Sequence, residues 1–340
     1  MNIVGIESSC DETSVAIISD GKLVSNLIAS QDFHTQYGGV VPELSSRAHL
    51  QIVSPLFKQS LKEAGLEIAD IDVVAATAGP GLIGALLVGF SFAKGLAYSL
   101  NVPFIPVNHI EGHIFSGFLM KEKPEFPFLG VVISGGHTLL LLVKSELEIY
   151  KLGSTIDDAA GEAFDKVAKM LGLGYPGGPK IQQYAIEAEP SDIRFPVART
   201  KSEFDFSFSG LKTSVLRYLQ ENFPDNIIPD KEKRKVAKAF QDAVVKALTK
   251  RAEKALKRFD VKSISVVGGV AANSGVKDGF SMLAKKYGKT LVIPSLEYCG
   301  DNGAMIALRG KQIFEAGKRF GFDTNAFPAL PQNHFLQLDV

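Results

Sequence analysis

The sequence predicts an α/β protein built from two similar lobes. The chain has 340 residues, which is longer than one average domain. Apolar strands alternate along it with helical patterns, which is typical of the α/β class. A strand–turn–strand unit at the start also returns, without a gap, 125 positions later: Gly5 aligns with Gly130, Ser9 with Ser134 and Thr13 with Thr138. Five apolar positions match as well, so the repeat favours duplication over coincidence.

The first half alternates strands with helices. We expect strands at Asn2–Glu7, Thr13–Ser19, Ile71–Ala78 and Val102–Val107. We expect helices at Ser45–Gly65, Gly84–Leu100 and Asn108–Phe118. The first of these helices has apolar residues at helical spacing, at Leu50, Val53, Phe57 and Leu61.

The second half repeats the alternation. Strands are expected at Phe128–Ile133, Thr138–Val143, Ser263–Val267 and Thr290–Ile293. Helices are expected at Asp158–Leu171, Lys233–Phe259, Ser274–Tyr287 and Asn302–Ala316. Residues beyond Phe320 look irregular. We expect residues 1–110 with about 302–325 to form one lobe, 111–301 the other with a helical insertion at about 155–260, and 326–340 a tail.

Composition and charge limit the function classes. The net charge is zero, which does not support a protein that binds nucleic acid over its whole surface. A row of lysines (Lys246, Lys250, Lys254 and Lys257) marks one helix face, where a solvated surface is favoured over an RNA phosphate contact. Only two cysteines occur, which indicates a reducing compartment. There is no signal-peptide pattern and no apolar run of about 18 residues, so a cytoplasmic protein without a membrane partner is expected.

The glycines from Gly79 to Gly84 fit the pattern G-x-G-x-x-G after a strand and before a helix. A dinucleotide site of this kind needs an acidic residue roughly 20 positions further on. No acidic residue lies between Asp72 and Glu111. Close packing of the helix, or a backbone approach to another ligand, therefore explains these glycines better.

Two histidines, His109 and His113, are spaced to share one face of a helix and to reach one metal ion. Such a pair also arises by chance. A zinc peptidase would need Glu directly after the first histidine, and Ile110 stands there. Asp301, at a predicted turn into the last helix, is the candidate for a third, acidic ligand.

Three turns can contact a nucleotide. Ser134–Thr138 contains two glycines whose N–H groups can bind phosphate oxygens, although an ordinary hairpin turn is the alternative. The first copy of this turn carries Asp11 and Glu12, which suggests metal or general-base chemistry. Gly268–Asn273 ends a strand before a helix and can accept a purine or ribose. One such strand–turn–strand element in each half, with a late glycine pair, is the arrangement of the actin/Hsp70/sugar-kinase superfamily.

Motifs along nearly the whole chain resemble the universal tRNA threonylcarbamoyltransferases of the bacterial TsaD type, once described as O-sialoglycoprotein endopeptidases. The matching segments are Gly5–Thr13, Gly38–Glu43, Thr77–Leu82, His109–His113, Ser134–Thr138, Asp157–Asp165, Tyr175–Pro179, Phe206–Thr213, Gly268–Asn273 and Asp301–Ala304.

The resemblance implies two duplicated actin/Hsp70-like (ribonuclease H-like) lobes with a nucleotide cleft between them. It implies transfer of a threonylcarbamoyl group from threonylcarbamoyl-AMP, made by a separate synthase, to N6 of adenosine 37 in tRNAs reading codons that begin with A. ATP or ADP is a further expected ligand. The partners implied are tRNA, a paralogous TsaB-type subunit and a TsaE-type ATPase.

The resemblance also assigns roles to individual residues. His109, His113 and Asp301 would hold one divalent metal ion, Fe²⁺ in the first place or Zn²⁺. Asp11 and Glu12 are the catalytic candidates, with Asp11 deprotonating or orienting the attacking amine. The donor's phosphate and acyl part would contact Ile133, Ser134, Gly135, Gly136 and His137. Its ribose and adenine would contact Asp165, Gly178 and Asn273.

Two other functions stay open from the residues alone. A metal-dependent peptidase would use the histidine pair, but it lacks the adjacent glutamate. A nucleotide-dependent regulator of the same superfamily would keep the glycine turns without needing His109, His113 and Asp301 as a set. Replacing the two histidines by alanine distinguishes these alternatives.

Overall fold

The computed structural model describes residues 1–37, 39–331 and 333–337, and the chain divides into two units. Unit 1 consists of Met1–Lys121 and Pro294–His334, and unit 2 consists of Glu122–Ile293 with the chain from Phe335 onward. Gly38, which begins one motif segment of the sequence analysis, lies outside the described residues, as do Gln332 and residues 338–340 of the expected tail.

The division between the units differs from the expected boundaries at residues 110 and 301. The helix that follows Asn108 stays in unit 1, because it packs against the last helix of the chain. Most of the expected tail also belongs to unit 1. Phe327 N–H donates to the carbonyl oxygen of Ala78 at 2.7 Å, and Gly81 N–H donates to that of Pro328 at 3.1 Å. These bonds attach the segment to the end of a central strand.

Ten strands and ten α-helices form the two units. The strands are β1 Asn2–Glu7, β2 Glu12–Ser19, β3 Lys22–Ser30, β4 Val73–Gly79, β5 Phe104–Asn108, β6 Phe128–Ile133, β7 Thr138–Ser145, β8 Glu148–Ser154, β9 Ser263–Val267 and β10 Thr290–Val292. The helices are α1 Pro42–Ala64, α2 Ile83–Leu100, α3 His109–Phe115, α4 Ala160–Met170, α5 Gly177–Ile186, α6 Ser209–Asn222, α7 Asp230–Arg258, α8 Ser274–Tyr287, α9 Leu296–Cys299 and α10 Gly303–Glu315. These numbers apply to the described residues.

Unit 1 is a sheet covered by helices on both faces. Its strand order is β3-β2-β1-β4-β5, with β4 and β5 parallel to β1. Successive side chains of a strand point to opposite faces. Val4 accordingly packs in a core with α1 and α2, whereas Ile3 packs in a second core with α10. Because both faces are covered, the central strands are buried along almost their whole length and are mostly apolar.

Unit 2 repeats this topology, with the strand order β10-β9-β6-β7-β8. The register repeats as well. Gly5 pairs with Ala16 in the first hairpin, and Gly130 pairs with Leu141 in the second, each residue 125 positions after its counterpart. An identical register over two antiparallel hairpins confirms the internal repeat that the sequence predicted.

Most expected elements are confirmed, but five of the described strands and α-helices were missed. These are β3, β8, α5, α6 and the short α9. The sequence did carry a signal for β3, because the pair Asp20 and Gly21 is typical of two-residue hairpin turns. In the structure these residues adopt φ angles of 47° and 78° between β2 and β3. Strand β3 itself mixes buried and exposed residues, which weakens the apolar pattern on which sequence prediction depends.

Helix α2 is long and apolar enough to span a membrane by length and composition, although no apolar run of that kind was expected from the sequence. It packs against α1 and β4 in unit 1, with Leu86 and Phe90 in the core. The core helix of a globular domain meets the same criterion, so this helix is weak evidence for a membrane span.

Candidate metal centre and glycine turns

The turn between β1 and β2 in unit 1 is held against the start of α2. Leu82 N–H donates to the carbonyl oxygen of Ser9 at 2.8 Å, and Ser8 Oγ donates to that of Ala85 at 3.0 Å. A Cβ at Gly81 would lie 2.6 Å from Ser9 O. The glycines of the G-x-G-x-x-G pattern therefore serve close packing, as the missing acidic residue indicated.

Helix α3 begins directly at the end of β5 because Asn108 caps it. The side-chain oxygen of Asn108 accepts from the N–H groups of Ile110 at 2.9 Å and Glu111 at 3.2 Å. The cap starts the helix at His109 and places His113 one turn later on the same side. Asp301 lies just before α10, whose own cap is Asn302.

His109, His113 and Asp301 meet in unit 1. Their candidate ligand atoms all lie within 4.8 Å of one another. Oδ1 of Asp301 is 3.0 Å from Nε2 of His113 and 3.5 Å from Nε2 of His109. Both rings are buried and stand nearly perpendicular, with centroids 4.7 Å apart. Two imidazoles and one carboxylate that converge in this way suit one divalent iron or zinc ion.

Glu7 supports the first of these histidines from behind. Its Oε2 lies 3.1 Å from Nδ1 of His109 and accepts from Thr77 Oγ1 at 2.6 Å, and its Oε1 accepts from Ser9 N–H at 2.5 Å. Metal-binding histidines commonly donate their second ring nitrogen to a carboxylate in this manner. Nδ1 of His113 differs, since it is buried without a hydrogen-bond partner among the described residues.

The charges around the triad favour a cation. Burial, together with the charges of Asp301 and Asp11, raises the pKa of Glu12 to about 10. Burial disfavours the charged form of His109, but Asp301 and Glu7 outweigh it and raise its pKa to about 9. Burial and the neighbouring charges of Asp301, Asp11 and Glu7 therefore keep Glu12 neutral near pH 7. A divalent cation bound by the triad would offset the negative charge that these carboxyl groups bring together.

The other side of α3 carries a second buried ionic group that sequence analysis did not find. Nε and Nη2 of Arg309 donate to Oε2 of Glu111 at 2.7 and 2.5 Å. Nε2 of His334 lies 2.6 Å from Oε1 of the same carboxylate. Arg309 also lies over the ring of Phe115, 4.1 Å from its centroid. Glu111 thus fixes the helix of the two histidines to α10 and to the chain's last segment.

A buried histidine also supports the turn that carries Asp11 and Glu12. Nδ1 of His49 is 2.7 Å from Thr13 Oγ1, and Nε2 is 3.0 Å from the carbonyl oxygen of Cys10. Ser45 Oγ donates to the same carbonyl. Both side chains come from α1, so this helix sets the backbone of the acidic turn. Neither residue carried a signal in the sequence, because their partners are distant along the chain.

In unit 2, residues 134–137 form the tight turn between β6, which ends at Ile133, and β7. Ser134 N–H donates to the carbonyl oxygen of His137 at 2.9 Å, and Ser134 Oγ accepts from His137 N–H at 3.1 Å. Gly135 and Gly136 are exposed, and a Cβ on either would meet nothing within 4 Å. Their N–H groups have no protein acceptor within the described ranges, so both are available to an anion.

Glycines let two further elements pack on this turn, and let a third pack on one of those two. A Cβ at Gly161 would lie 2.7 Å from Ser134 O, and one at Gly268 would lie 2.6 Å from Ile133 O. Gly268 has φ of 93°, a conformation that favours glycine. The start of α4 and the end of β9 can therefore pack directly on the turn, and α5 packs on α4 through Gly177.

The remaining expected substrate residues lie near these junctions. Oδ1 of Asp165 accepts from Gly177 N–H at 2.7 Å, and burial raises the Asp165 pKa. Gly178 stands at the start of α5 with open space where a Cβ would be. Asn273 is the N-cap of α8, with Oδ1 3.1 Å from Val276 N, and its Nδ2 donates to Gln241 Oε1 at 2.8 Å. Asp165 and Asn273 thus have structural partners in unit 2 as well.

Comparison with known proteins identifies the family. Residues 22–308 match the model of TsaD, tRNA N6-adenosine threonylcarbamoyltransferase. The chain belongs to this family. A protein of the same name from Kosmotoga olearia is 49% identical over 332 residues, covering 97% of this chain and 98% of the relative. The relative from Thermosipho africanus is 48% identical, covering 97% and 99%, and that from Symbiobacterium thermophilum is 47% identical, covering 96% of both chains.

Solved structures support the fold of this TsaD-family chain. HypF from T. kodakarensis has a TM-score of 0.63 at 15% identity, covering 93% of this chain and 48% of that protein. Component A of the Acidaminococcus fermentans (R)-2-hydroxyglutaryl-CoA dehydratase has a TM-score of 0.56 at 16% identity, covering 94% and 100%. The likeness over nearly the whole chain confirms the expected α/β fold with two similar lobes.

Proposed function

We propose that this protein transfers the threonylcarbamoyl group from threonylcarbamoyl-AMP to N6 of adenosine 37 in tRNAs reading codons that begin with A. The observation that carries the proposal is family membership over almost the full chain, with relatives of the same printed name. The buried histidine–histidine–aspartate group gives that membership a chemical site. A peptidase is not favoured, since Ile110, in the place of its general base, is fully buried.

His109, His113 and Asp301 would hold one divalent metal ion, with Fe²⁺ the first choice and Zn²⁺ the second. The donor set fits either ion. When bound, the ion supplies a Lewis acid that can polarise a carbonyl or hold a phosphate oxygen. Glu7 orients His109 and keeps its second ring nitrogen engaged, so that Nε2 faces the other two ligands.

The glycine turn of unit 2 would bind the donor. The exposed N–H groups of Gly135 and Gly136 can donate to phosphate oxygens, while Ile133, Ser134 and His137 shape the turn around them. Asp165, Gly178 and Asn273 would contact the ribose and adenine. In this role Asp165 and Asn273 keep their present backbone bonds, which hold them in position.

The reaction needs a proton acceptor beside the attacking amine. The N6 nitrogen of adenosine forms a bond to the carbamoyl carbon, and the bond from that carbon to the phosphate oxygen breaks. AMP leaves with the electron pair. Asp11 accepts the proton released from N6, and Glu12 beside it completes the acidic turn. Acyl phosphates have good leaving groups, so positioning supplies most of the catalysis.

The proposed partners are tRNA, a paralogous TsaB-type subunit, a TsaE-type ATPase and a separate synthase that makes the donor. ATP or ADP would bind in the donor's nucleotide position. The proposed location is the cytoplasm, where tRNA is modified, without a membrane partner.

The test is mass spectrometry of tRNA nucleosides after incubating the protein with tRNA, threonylcarbamoyl-AMP and the proposed partners, with and without chelator. We expect threonylcarbamoyladenosine that chelator abolishes. The His109→Ala and His113→Ala variants should lose bound metal and product while keeping the wild-type circular dichroism spectrum. Product that forms equally with chelator would refute the metal assignment. No product with any combination of partners would refute the transferase and favour the nucleotide-dependent regulator.

A further inference from the structure

A groove in unit 2 is lined by five cationic side chains and one carboxylate among its eleven residues. It has a volume of about 570 Å³ and lies between α7 and the irregular segment Phe195–Glu203. Its cations are Arg199, Lys246, Lys250, Arg251 and Lys254, and its one carboxylate is Glu203. The neutral net charge of the chain conceals this local excess.

Arg251 contributes a buried charge without a counter-ion. Its side chain donates to the carbonyl oxygens of Asp205 at 3.1 Å, Ala198 at 2.6 Å and Ala247 at 3.5 Å, and to no carboxylate among the described residues. These bonds pin the irregular segment onto α7. A guanidinium has five N–H donors and stays ionised, so its charge adds to the field in the groove.

The outer cations of the groove are also unneutralised. Arg199, Lys246 and Lys250 are exposed, and in the described part of the chain none of them forms an ion pair. Their neighbours on α7 are different. Lys238 pairs with Asp242, and Glu203 serves both Lys254 and Arg258. Arg199, Lys246 and Lys250 therefore leave this groove with an excess of positive charge.

We propose that this groove binds phosphates of the tRNA backbone, an inference that rests on the proposed transferase function. Lys246, Lys250 and Lys254 follow one another at four-residue intervals, so their origins rise about 6 Å at each step. A row of cations at that spacing can neutralise several phosphates of one RNA strand, because every nucleotide of the strand carries one negative charge. The contact is to the backbone and therefore positions tRNA without reading its sequence.

The test is tRNA binding by the full-length Lys246→Gln/Lys250→Gln variant, measured by fluorescence anisotropy from low to physiological salt. The matched control is Lys22→Gln/Lys144→Gln, which removes the same charge from two exposed lysines that do not line the groove. We expect the groove variant to bind tRNA at least about tenfold more weakly at low salt. The slope of log K against log salt should become shallower by roughly 1.4 to 1.8.

The outcomes separate this inference from the transferase function. The groove proposal is overturned if the groove variant and the control variant bind tRNA with the same affinity and the same salt slope. It is also overturned if the wild-type chain does not bind tRNA at low salt. Nucleoside mass spectrometry of the same samples reports on the function. If the groove variant modifies tRNA as the wild type does, with an unchanged KM for tRNA, the groove proposal is refuted and the transferase proposal stands. If tRNA binding depends on the groove but no modified nucleoside forms, the transferase proposal is refuted and the groove proposal stands.

Discussion

Nδ1 of His109 lies 3.1 Å from Oε2 of Glu7, on the side of the ring opposite Asp301. Glu7 is fully buried, and burial opposes its ionisation. The charge and hydrogen bond of His109 outweigh that effect, so the pKa of Glu7 lies below its ordinary value. Since the carboxylate stays ionised, it can only accept hydrogen bonds. It therefore holds His109 with Nε2 directed at the proposed metal.

Replacing Glu7 with glutamine tests this relationship. The amide keeps the shape of the side chain but puts an N–H₂ group among three donors, which are His109, Thr77 and the Ser9 N–H. We expect metal affinity to fall about 10- to 100-fold, as for other partners of ligating histidines. Competitive titration with a chromophoric chelator measures it. The control is Glu43→Gln, an exposed carboxylate paired with Arg47, which should leave the affinity unchanged. Equal affinities for both variants would contradict the role of Glu7.

The Arg309–Glu111 pair is buried in unit 1, since its side chains are only 3% and 13% exposed. Glu111→Ala takes the carboxylate partner from a buried guanidinium and should cost about 3–5 kcal/mol of unfolding free energy. Arg309→Ala should cost less, because His334 stays 2.6 Å from the Glu111 carboxylate. Urea denaturation measures this loss. The double variant Glu111→Leu/Arg309→Met removes both charges and should recover most of it. Single variants within 1 kcal/mol of wild type would show that the pair contributes little.

Gly136→Ala tests whether the glycine turn binds a ligand. The structure has open space at this position, so the variant should fold with wild-type stability. If the donor's phosphate lies against the backbone, the added methyl group will hinder it, and donor affinity should drop about tenfold or more. Isothermal titration with a non-hydrolysable donor analogue measures this. Gly210→Ala, also in open space in unit 2, is the control. Unchanged affinity for Gly136→Ala would place the phosphate elsewhere.

Asp158 gives a pH-dependent contribution to the stability of unit 2. Its carboxylate accepts from Lys166 at 2.9 Å and Lys212 at 2.8 Å. Burial opposes ionisation of Asp158, but the two lysines prevail and hold its pKa below 3.8. A lowered folded-state pKa means that the stabilisation is complete above the unfolded value and is lost as the pH falls through the folded one.

Asp158→Asn should therefore cost about 1 kcal/mol at pH 7, and the difference from wild type should shrink below pH 3.8. Urea unfolding of both proteins from pH 7 down to the acid limit of folding measures it. The other carboxylates titrate alike in both proteins and cancel. Asp242→Asn, which removes the exposed partner of Lys238, should cost less than about 0.5 kcal/mol. A difference that persists undiminished in acid would indicate a packing effect of the substitution.

The sequence by itself determined what depends on local periodicity. The apolar runs of β1 and β6 and their repeated hairpins were readable because buried strands are apolar on both faces. His109 and His113 could be placed on one helix face because four residues make about one turn. The glycines from Gly79 to Gly84 could be separated from a dinucleotide site by an absent acidic residue.

Only the tertiary structure decided which distant residues meet. Asp301 was named as a candidate ligand from its turn and from the family resemblance, but only the structure shows it 3.0 Å from His113, 188 residues away. Glu7 lies 102 residues from His109, so no local pattern could pair them. The same holds for Arg309 with Glu111. Edge strands such as β3 are partly exposed and lack a strong apolar signal. The boundary of unit 1 was equally non-local, because α3 and the chain's last segment are assigned by packing against α10 and β4 and not by their own sequence.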